Sequence, residues 1–490
     1  MDKKRRLLQD GGVAIEKGRI IDVDRTEALY EKYVAKKVID CKGQVIMPGF
    51  IDAHGHGGHS LFKTIAADNI GDWMPIITTA YKHFVTDEFW YYEGKLSALE
   101  RLKSGVTTGV SVMGSVPRSD DPIFSINHAK AYAETGIREI VCTGPANPPW
   151  PQPFSRWKDG KRIVEDVTYE QAIKGAEAVI EALHHSNNDR TRAFITPYVI
   201  VTSVNPSGPT PLESLHRLSD HDKMQARLIR SIATKYNTRI HSDAFGGMIH
   251  LAAKEKEFSL FGPDVHLQHC RGLSFDETKI LAETGTNVSA SPGFGSIIAR
   301  TPVTELIEMG TTVAITTDGT SPLSPFDMFQ AMRRMQLIQQ AALRDYYYLP
   351  PGKLLEMVTI DAAKCLGWDD EIGSLETGKK ADVITVNFNQ PHLTPAFMHV
   401  HRLVYQAVAN DVDTVIVDGN VVMENRVVTT VDEKRVLDEA NMEAMETIKR
   451  AGMEPYMEPS SYFWGHARAY LDEKRFDKEE FEKKMEVKIL

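Results

Sequence analysis

Eight short β-rich runs, each separated from the next by sequence that suits a helix, constrain the fold of this 490-residue chain more than any other feature. Such alternation predicts repeated βα units and a parallel sheet. Eight units fit a closed (β/α)8 barrel, and an open doubly wound sheet is disfavoured because no GxGxxG follows the first run. The runs are 45–52, 106–113, 139–143, 194–201, 239–242, 265–269, 286–290 and 312–317.

Both ends of the chain carry antiparallel β signals. Apolar residues alternate around a Glu-Lys-Gly turn in 12–21, and β-rich runs return at 381–386 and 414–422. These segments predict a small composite β-sandwich built from residues 1–47 and 373–430, beside a barrel at 48–372. Residues 431–490 are charged and suit helices, so we expect a C-terminal helical extension there.

The composition is that of a globular protein, with 42% hydrophobic and 25% charged residues. A net charge of −10 argues against nucleic acid as a partner. No apolar run approaches the ~20 residues that span a bilayer, and none follows the basic first residues as in a signal peptide. Without CxxC spacing, the four cysteines suggest neither a disulfide framework nor a thiolate zinc site, so a cytoplasmic protein is expected.

The strongest chemical signal is PGFIDAHGH at 48–56, where two histidines follow the first β-rich run. His54 and His56 are two residues apart, so on a strand both imidazoles point to the same side. Imidazole is a good ligand for zinc, iron or nickel. Two surface histidines would have the same spacing, but the apolar strand before them favours a metal site.

Three later residues fall at the carboxyl ends of β-rich runs, which is where barrel active sites lie. They are His241, His269 and Asp318. Each has a structural alternative, because a strand histidine is usually a hydrogen-bonded core residue and an Asp before Gly319 is usually a turn former. Their joint position on the rim of one barrel favours a site for a divalent metal ion.

In this order the motifs resemble the amidohydrolase superfamily, in the branch of triazine hydrolases and cytosine deaminase. The resemblance covers nearly the whole chain and includes PGFIDAHGH, KSGVTT (103–108), TDG (317–319), IGSLETGKKADV (372–383) and VDG (417–419). It implies one metal ion, because the run at 194–201 lacks a lysine that would bridge two metals. Zinc is the expected metal and iron is the alternative, because the same ligands suit both. The implied metal ligands are His54, His56, His241 and Asp318.

The resemblance also implies the chemistry. A bound divalent ion lowers the pKa of its water to roughly 7. Asp318 would then take the proton and pass it to the leaving group, while His269 would hydrogen-bond the water or the substrate. Deaminases of this branch carry a Glu three residues after the fifth-strand histidine, but this chain has Ala244 there and Asp243 one place earlier.

That departure sets the order of the functional hypotheses. We predict a hydrolase of a non-peptide C–N bond in a small molecule, of amide, urea, carbamate or lactam type. Deamination or dechlorination of an N-heterocycle is the alternative within enzymes. A non-catalytic barrel is a third hypothesis, disfavoured because every implied ligand position is filled. Since such enzymes are commonly homodimers or larger, a homo-oligomer is expected.

Substrate contacts are sought in long loops and strand ends. The Pro-rich loop at 143–157 carries aromatic residues that would suit a flat substrate, although packing on the barrel exterior or on a partner subunit is an equal alternative. His59, just past the paired histidines, is expected to support the site or face solvent rather than line the pocket. The predicted substrate contacts are Trp150, Phe154, Trp157, Tyr198, Asp243 and Ser291.

Overall fold

The structure is a computed structural model that describes residues 2–158, 160–204, 216–254, 260–459 and 463–464. Its strands are β1 (Gly11–Glu16), β2 (Arg19–Arg25), β3 (Gln44–Pro48), β4 (Phe50–Asp52), β5 (His56–Gly57), β6 (Val106–Met113), β7 (Arg138–Thr143), β8 (Gln152–Lys158), β9 (Lys161–Val167), β10 (Thr191–Ile195), β11 (Ile240–Phe245), β12 (Val265–Arg271), β13 (Asn287–Ala290), β14 (Val313–Ile315), β15 (Val383–Asn387), β16 (Val412–Val417), β17 (Asn420–Glu424) and β18 (Val427–Val428).

The α-helices are α1 (Thr26–Lys32), α2 (Ile70–His83), α3 (Asp87–Lys103), α4 (Pro122–Thr135), α5 (Tyr169–Leu183), α6 (Ser186–Asp189), α7 (Asp220–Tyr236), α8 (Met248–Ala252), α9 (Phe275–Thr284), α10 (Val303–Glu308), α11 (Met328–Leu343), α12 (Pro351–Met357), α13 (Ile360–Cys365), α14 (His399–Tyr405) and α15 (Glu433–Ala451). None of the helices that the structure describes is long and apolar enough to cross a membrane.

A parallel sheet in the order β4, β6, β7, β10, β11, β12, β13, β14 forms the centre of the fold, and β5 also pairs with β6. Its two ends meet, because the Asp318 N–H after β14 donates to the His54 carbonyl after β4 at 3.2 Å. All eight residues of β6 are buried, as expected where helices cover one face of a sheet and the barrel interior the other. The predicted (β/α)8 barrel is confirmed.

Both chain ends contribute to a second, antiparallel layer. A five-stranded sheet runs in the order β18-β17-β16-β15-β3, and the β1–β2 hairpin forms a separate two-stranded sheet. Ile20 of the hairpin packs with Val383 and Ile416 of the larger sheet. The predicted composite layer is therefore confirmed as an antiparallel sheet with a hairpin packed on it, and we propose the boundaries 1–47 with 373–430 for it and 48–372 for the barrel.

The first and the fourth of the predicted barrel strands differ most from the structure, and of the eight runs only 106–113 has the predicted limits at both ends. The run 45–52 is not one strand: β3 pairs with β15, and β4 pairs with β6 in the barrel. The break falls at Gly49, where a Cβ would overlap the side chain of Thr107, so the chain crosses between sheets at a residue without one. The run 194–201 ends as a strand at Ile195, and beyond it only Val199 forms an isolated bridge, to Asp243.

A buried ion pair connects the barrel to the antiparallel sheet. The Arg138 guanidinium in β7 donates to both carboxylate oxygens of Asp382, at 2.7 and 3.1 Å, and also contacts Asp418. Asp382 lies in the ADV part of the motif at 372–383, so the structure gives that motif a role in joining the two layers.

Helix α15 begins the C-terminal extension. Its buried residues include Val436, Ala440 and Ile448, and it packs against α3 of the barrel. We propose that the extension spans 431–490, although 460–462 and 465–490 lie outside the described residues.

Candidate metal centre and active site

Three side chains converge at the carboxyl end of the barrel. His54 and His56 follow β4, and Asp318 follows β14 at the point where the barrel closes. The carboxylate oxygen Oδ1 of Asp318 lies 3.2 Å from His56 Nε2 and 3.5 Å from His54 Nε2. One ligand atom from each residue lies within 4.8 Å of the others, close enough to hold one ion.

His241 on β11 adds a third imidazole, with its Nε2 2.8 Å from His54 Nδ1. Its own Nδ1 lies 3.0 Å from the carbonyl oxygen of His266. A carbonyl can only accept, so Nδ1 of His241 carries the proton and the lone pair of its Nε2 faces His54 Nδ1. His56 is held in the same way, since its Nδ1 donates to the Gly114 carbonyl at 2.8 Å. A second nitrogen fixed by a carbonyl is typical of metal-ligating histidines.

These residues fit a divalent metal ion. His54 Nε2 is buried and makes no hydrogen bond with any described residue, which is costly for a polar atom unless something else binds it. Imidazole nitrogens together with a carboxylate form a donor set that zinc and iron both accept.

His269 and Asp243 lie beside this group. His269 Nε2 is 3.7 Å from Asp243 Oδ2 and 3.9 Å from Asp318 Oδ2. The Ser291 hydroxyl donates to Asp318 Oδ2 at 3.1 Å. Asp243 is two residues beyond His241 on β11, so strand alternation turns both side chains toward the barrel interior. The structure thus brings Asp243 and Ser291, two of the predicted substrate contacts, to the group formed by His54, His56 and Asp318. His241 borders that group through His54.

Burial and neighbouring charges set the protonation of the site. Burial raises the pKa of Asp243 to about 6. Burial would also raise the pKa of Asp318, but His269, His54 and His56 hold that pKa well below its usual value. Burial lowers the pKa of His269 well below its usual value, which favours a neutral imidazole.

Three residues near the ends of β12 and β14 have a left-handed backbone conformation. The φ angles are +68° at His269, +48° at Cys270 and +67° at Asp318. Residues with a Cβ rarely adopt this region, and such strain clusters at functional sites. In the β11–β12 ladder Ala244 pairs with His269 and Phe245 with Arg271, so Cys270 is skipped and the strand turns at the site.

His59 proves to be a buried part of the site rather than a solvent-facing residue. It is 2% exposed, and its ring stacks on His56 with centroids 4.7 Å apart. Its Nε2 lies 2.7 Å from the Ser115 hydroxyl. A Cβ at Gly319 would overlap the ring of His59, so the glycine of the TDG motif is required for this close approach.

Asp52 is a supporting residue that sequence reasoning did not single out, although it lies within PGFIDAHGH. Its carboxylate accepts the Thr317 N–H at 3.0 Å and the Thr317 hydroxyl at 2.6 Å. The fully buried Arg101 donates to the same carboxylate at 3.1 Å. Asp52 therefore fixes the residue directly before Asp318.

The aromatic residues of the 143–157 loop lie on and before the β8–β9 hairpin. The Trp150 ring packs against Tyr169 of α5, and Trp157 donates to the His83 carbonyl at the end of α2. Phe154 is buried, with Lys82 above its ring. The structure does not bring these three side chains to the histidine cluster, so their substrate role stays a prediction.

Tyr198 lies nearer the cluster. Its backbone carbonyl accepts the Asp243 N–H at 3.4 Å. Burial, with Asp243 next in effect, raises the pKa of its hydroxyl.

Comparison with known proteins identifies the family of this site. The sequence profile described as "Amidohydrolase family" matches residues 45–422. The chain belongs to the amidohydrolase family. It is accordingly a metal-binding hydrolase that acts on carbon–nitrogen bonds other than peptide bonds.

Relatives of this amidohydrolase carry deaminase names. It is 33% identical over 443 residues to a 5-methylthioadenosine/S-adenosylhomocysteine deaminase of Desulforudis audaxviator, covering 90% of this chain and 95% of the relative. It is 30% identical over 458 residues to a 5'-deoxyadenosine deaminase of Methanosarcina mazei, covering 92% and 96%.

Solved structures share the fold of this amidohydrolase. An adenosine deaminase from Xanthomonas campestris with bound zinc aligns with a TM-score of 0.75 at 19% identity, covering 91% of this chain and 95% of that one. An atrazine chlorohydrolase from Arthrobacter aurescens complexed with zinc aligns with a TM-score of 0.72 at 19% identity, covering 90% and 97%.

Proposed function

We propose that this amidohydrolase deaminates an N-heterocycle by hydrolysis, with an adenine nucleoside as the first substrate class to test. The observation that carries the proposal is the similarity, over nine-tenths of the chain, to deaminases of adenosine derivatives. The grouping of Asp243 and His269 beside the candidate ligands supports it, because ring deamination needs proton donors next to the attacked carbon.

Within this proposal, His54, His56, His241 and Asp318 hold one ion. A divalent ion held there would supply Lewis acidity, which would lower the pKa of a water molecule to roughly 7. Asp318 accepts the proton of that water and returns it to the leaving ammonia. His269 hydrogen-bonds the substrate atom under attack, and Asp243 hydrogen-bonds the ring nitrogen in place of the Glu that Ala244 replaces. Ser291 orients Asp318 through its hydrogen bond.

Hydrolysis of an amide, urea, carbamate or lactam is the second candidate function. It is favoured by Ala244, whose side chain is fully buried in the hydrophobic core and offers no acid at the position where related deaminases carry Glu. A carbonyl substrate would need no ring protonation, because a bound ion would supply Lewis acidity and His269 would hydrogen-bond the carbonyl oxygen.

The deciding experiment is a product screen of the purified, metal-loaded protein. The panel contains 5'-methylthioadenosine, S-adenosylhomocysteine, 5'-deoxyadenosine and adenosine, with cytosine, an aryl urea and an aryl amide beside them. Ammonia from the aminopurines supports deamination. An organic amine from the urea or amide, without ammonia from the aminopurines, would replace the first proposal by the second.

Metal identity and stoichiometry are part of the proposal. We propose one zinc ion per chain, with iron as the alternative, because the donor set is three imidazoles and one carboxylate. Zinc in two structural neighbours supports this choice. Metal analysis of the purified protein tests it, and two equivalents per chain would contradict it.

Cellular location and assembly are also part of the proposal. Free cysteines throughout the described residues suit a reducing compartment, and we propose a cytoplasmic homodimer or larger homo-oligomer acting on small molecules. Light scattering of the purified protein measures the assembly, and a monomeric mass would contradict this part.

A further inference from the structure

Arg271 places a cation at the site that the mechanism above does not use. It is the last residue of β12, two positions beyond His269. Its guanidinium carbon lies over the Phe245 ring, 5.1 Å from the centroid. The same ring stacks on the His269 imidazole, with centroids 5.5 Å apart and planes at 21°. The charge therefore lies one aromatic ring away from His269.

A second strand end borders the guanidinium. Gly295 lies against it so closely that a Cβ at this position would overlap the guanidinium group. Gly295 belongs to the segment after β13 that also carries Ser291, the residue that hydrogen-bonds Asp318. Arg271 thus lies between the ends of β11 and β13, on the same rim as the candidate metal ligands.

The Arg271 guanidinium is partly buried, yet no described residue accepts a hydrogen bond from it. Buried arginines elsewhere in the fold are different: Arg101 donates to Asp52 and Arg138 donates to Asp382. A guanidinium has five N–H donors in a planar fork that matches a carboxylate. Burial lowers its pKa, and Asp318 and Asp243 act on it only through their charges.

We propose that Arg271 binds an anionic oxygen group of the substrate, a carboxylate or an acidic ring oxygen, beside the bond that is hydrolysed. The inference rests on the proposed deamination of an N-heterocycle, but it departs from the adenine nucleosides named for the relatives, because their adenine ring carries no acidic group. It narrows the substrate class to N-heterocycles that bear an acidic group. Because only one ring separates Arg271 from His269, the acidic group lies on or next to the heterocycle, not at the far end of a long nucleoside substituent.

The test compares two planar probes, orotate and uracil, which differ by one carboxylate. Their binding to the metal-loaded protein is measured by calorimetry at pH 7.5. We expect orotate to bind at least tenfold more tightly than uracil, and Arg271→Met to remove the preference. Arg271→Lys keeps the charge but not the fork, so part of the preference should remain.

Arg162→Met is the matched control, because Arg162 also lies over a phenylalanine ring, that of Phe84, but is exposed and outside the site. It should keep the full preference for orotate. Equal affinities of the original protein for both probes would overturn the inference. So would a preference that survives in Arg271→Met, since the metal alone would then hold the carboxylate.

The binding measurement does not depend on turnover. Failure of this inference can therefore be distinguished from failure of the proposed function. Orotate preference without ammonia release from any aminoheterocycle would refute the deaminase proposal and leave Arg271 as an anion-binding residue. If Arg271→Met does not fold by circular dichroism, Arg271→Gln and Arg271→Lys give the same comparison.

Discussion

Two atoms, His54 Nε2 and Asp318 Oδ1, give the main evidence for a metal site. They are 3.5 Å apart, and the nitrogen has no hydrogen bond among the described residues. The sequence predicted both residues because each follows a barrel strand directly. For His59 it left open a supporting role or a solvent-facing position, and it did not predict Arg271, which follows two left-handed residues that break strand alternation.

Replacing a proposed ligand should remove the metal and the activity together. We expect His54→Ala to lose its bound ion and at least about 1,000-fold in kcat, because a metal ion contributes several kcal/mol to the transition state. Metal analysis and a turnover assay measure both losses, and far-ultraviolet circular dichroism should show an intact barrel. His401→Ala, at an exposed histidine of α14, is the control and should keep both. Full activity in His54→Ala would refute the ligand assignment.

Asp243 offers a finer test of the same chemistry. Asp243→Asn keeps the shape of the side chain and removes its acid, so we expect roughly a 100-fold loss of kcat on an aminopurine while the metal content stays unchanged. Unchanged kcat in this variant would favour the amide or urea chemistry, for which no ring protonation is required.

At the scale of elements, a buried charge cluster supports the loop that carries the paired histidines. His128 in α4 lies 2.6 Å from Glu139 in β7 and 2.8 Å from Glu93 in α3. All three side chains are fully buried. Glu93 also accepts the Ser60 N–H at 3.2 Å, and a Cβ on Gly57 would lie 3.0 Å from the His128 ring. The cluster therefore holds the 57–60 turn in place through its contacts with Gly57 and Ser60.

This cluster predicts how stability depends on pH. Burial alone would lower the pKa of His128, but Glu139 and Glu93 raise it to about 9 from the ordinary 6.5. A folded-state pKa above the unfolded one gives stability that is complete below pH 6.5 and is lost as pH rises through 9. The shift corresponds to on the order of 3 kcal/mol.

Urea unfolding at pH 6, 7.5 and 9 measures that loss directly. In His128→Gln the free energy of unfolding should fall less between pH 6 and 9, because this variant has no imidazole proton for Glu93 and Glu139 to stabilise. An equal decline in both proteins would assign the pH dependence to other groups.

A substitution at Gly319 tests the contact between the turn after β14 and His59. Gly319→Ala introduces a Cβ where the His59 ring lies, and that ring stacks on His56. We expect at least about a tenfold loss of metal affinity, by the size of effect that displaced supporting residues have on metal ligands. Competition with a zinc chelator measures the affinity. Gly352→Ala is the control for replacing an exposed glycine, because a Cβ there meets no atom within 4 Å and its φ is not positive. An unchanged zinc affinity would show that His59 can move without disturbing His56.

For the whole molecule, Arg138 determines how firmly the barrel and the antiparallel sheet are joined. It is fully buried and bonds Asp382 through two nitrogens. We expect Arg138→Met to lower the free energy of unfolding by about 3–5 kcal/mol, because it leaves a buried carboxylate without its partner. Urea unfolding followed by tryptophan fluorescence measures the loss. The exposed pair of Lys434 and Asp438 is the contrast, since Lys434→Met should change stability by less than about 1 kcal/mol.

The barrel, the antiparallel layer and the main set of candidate ligands could all be predicted from local patterns in the sequence. Strand period, spacing and position at strand ends are local properties, and they place His54, His56, His241 and Asp318 at one end of a parallel sheet. The surroundings of these residues could not be predicted in the same way, because they depend on how the chain folds. The split at Gly49, the burial of His59 behind His56 and the place of Arg271 over Phe245 depend on contacts between strands far apart in the chain. For the aromatic residues of the 143–157 loop, the structure adds the contacts of Trp150 with Tyr169 and of Trp157 with the His83 carbonyl, and their substrate role stays a prediction.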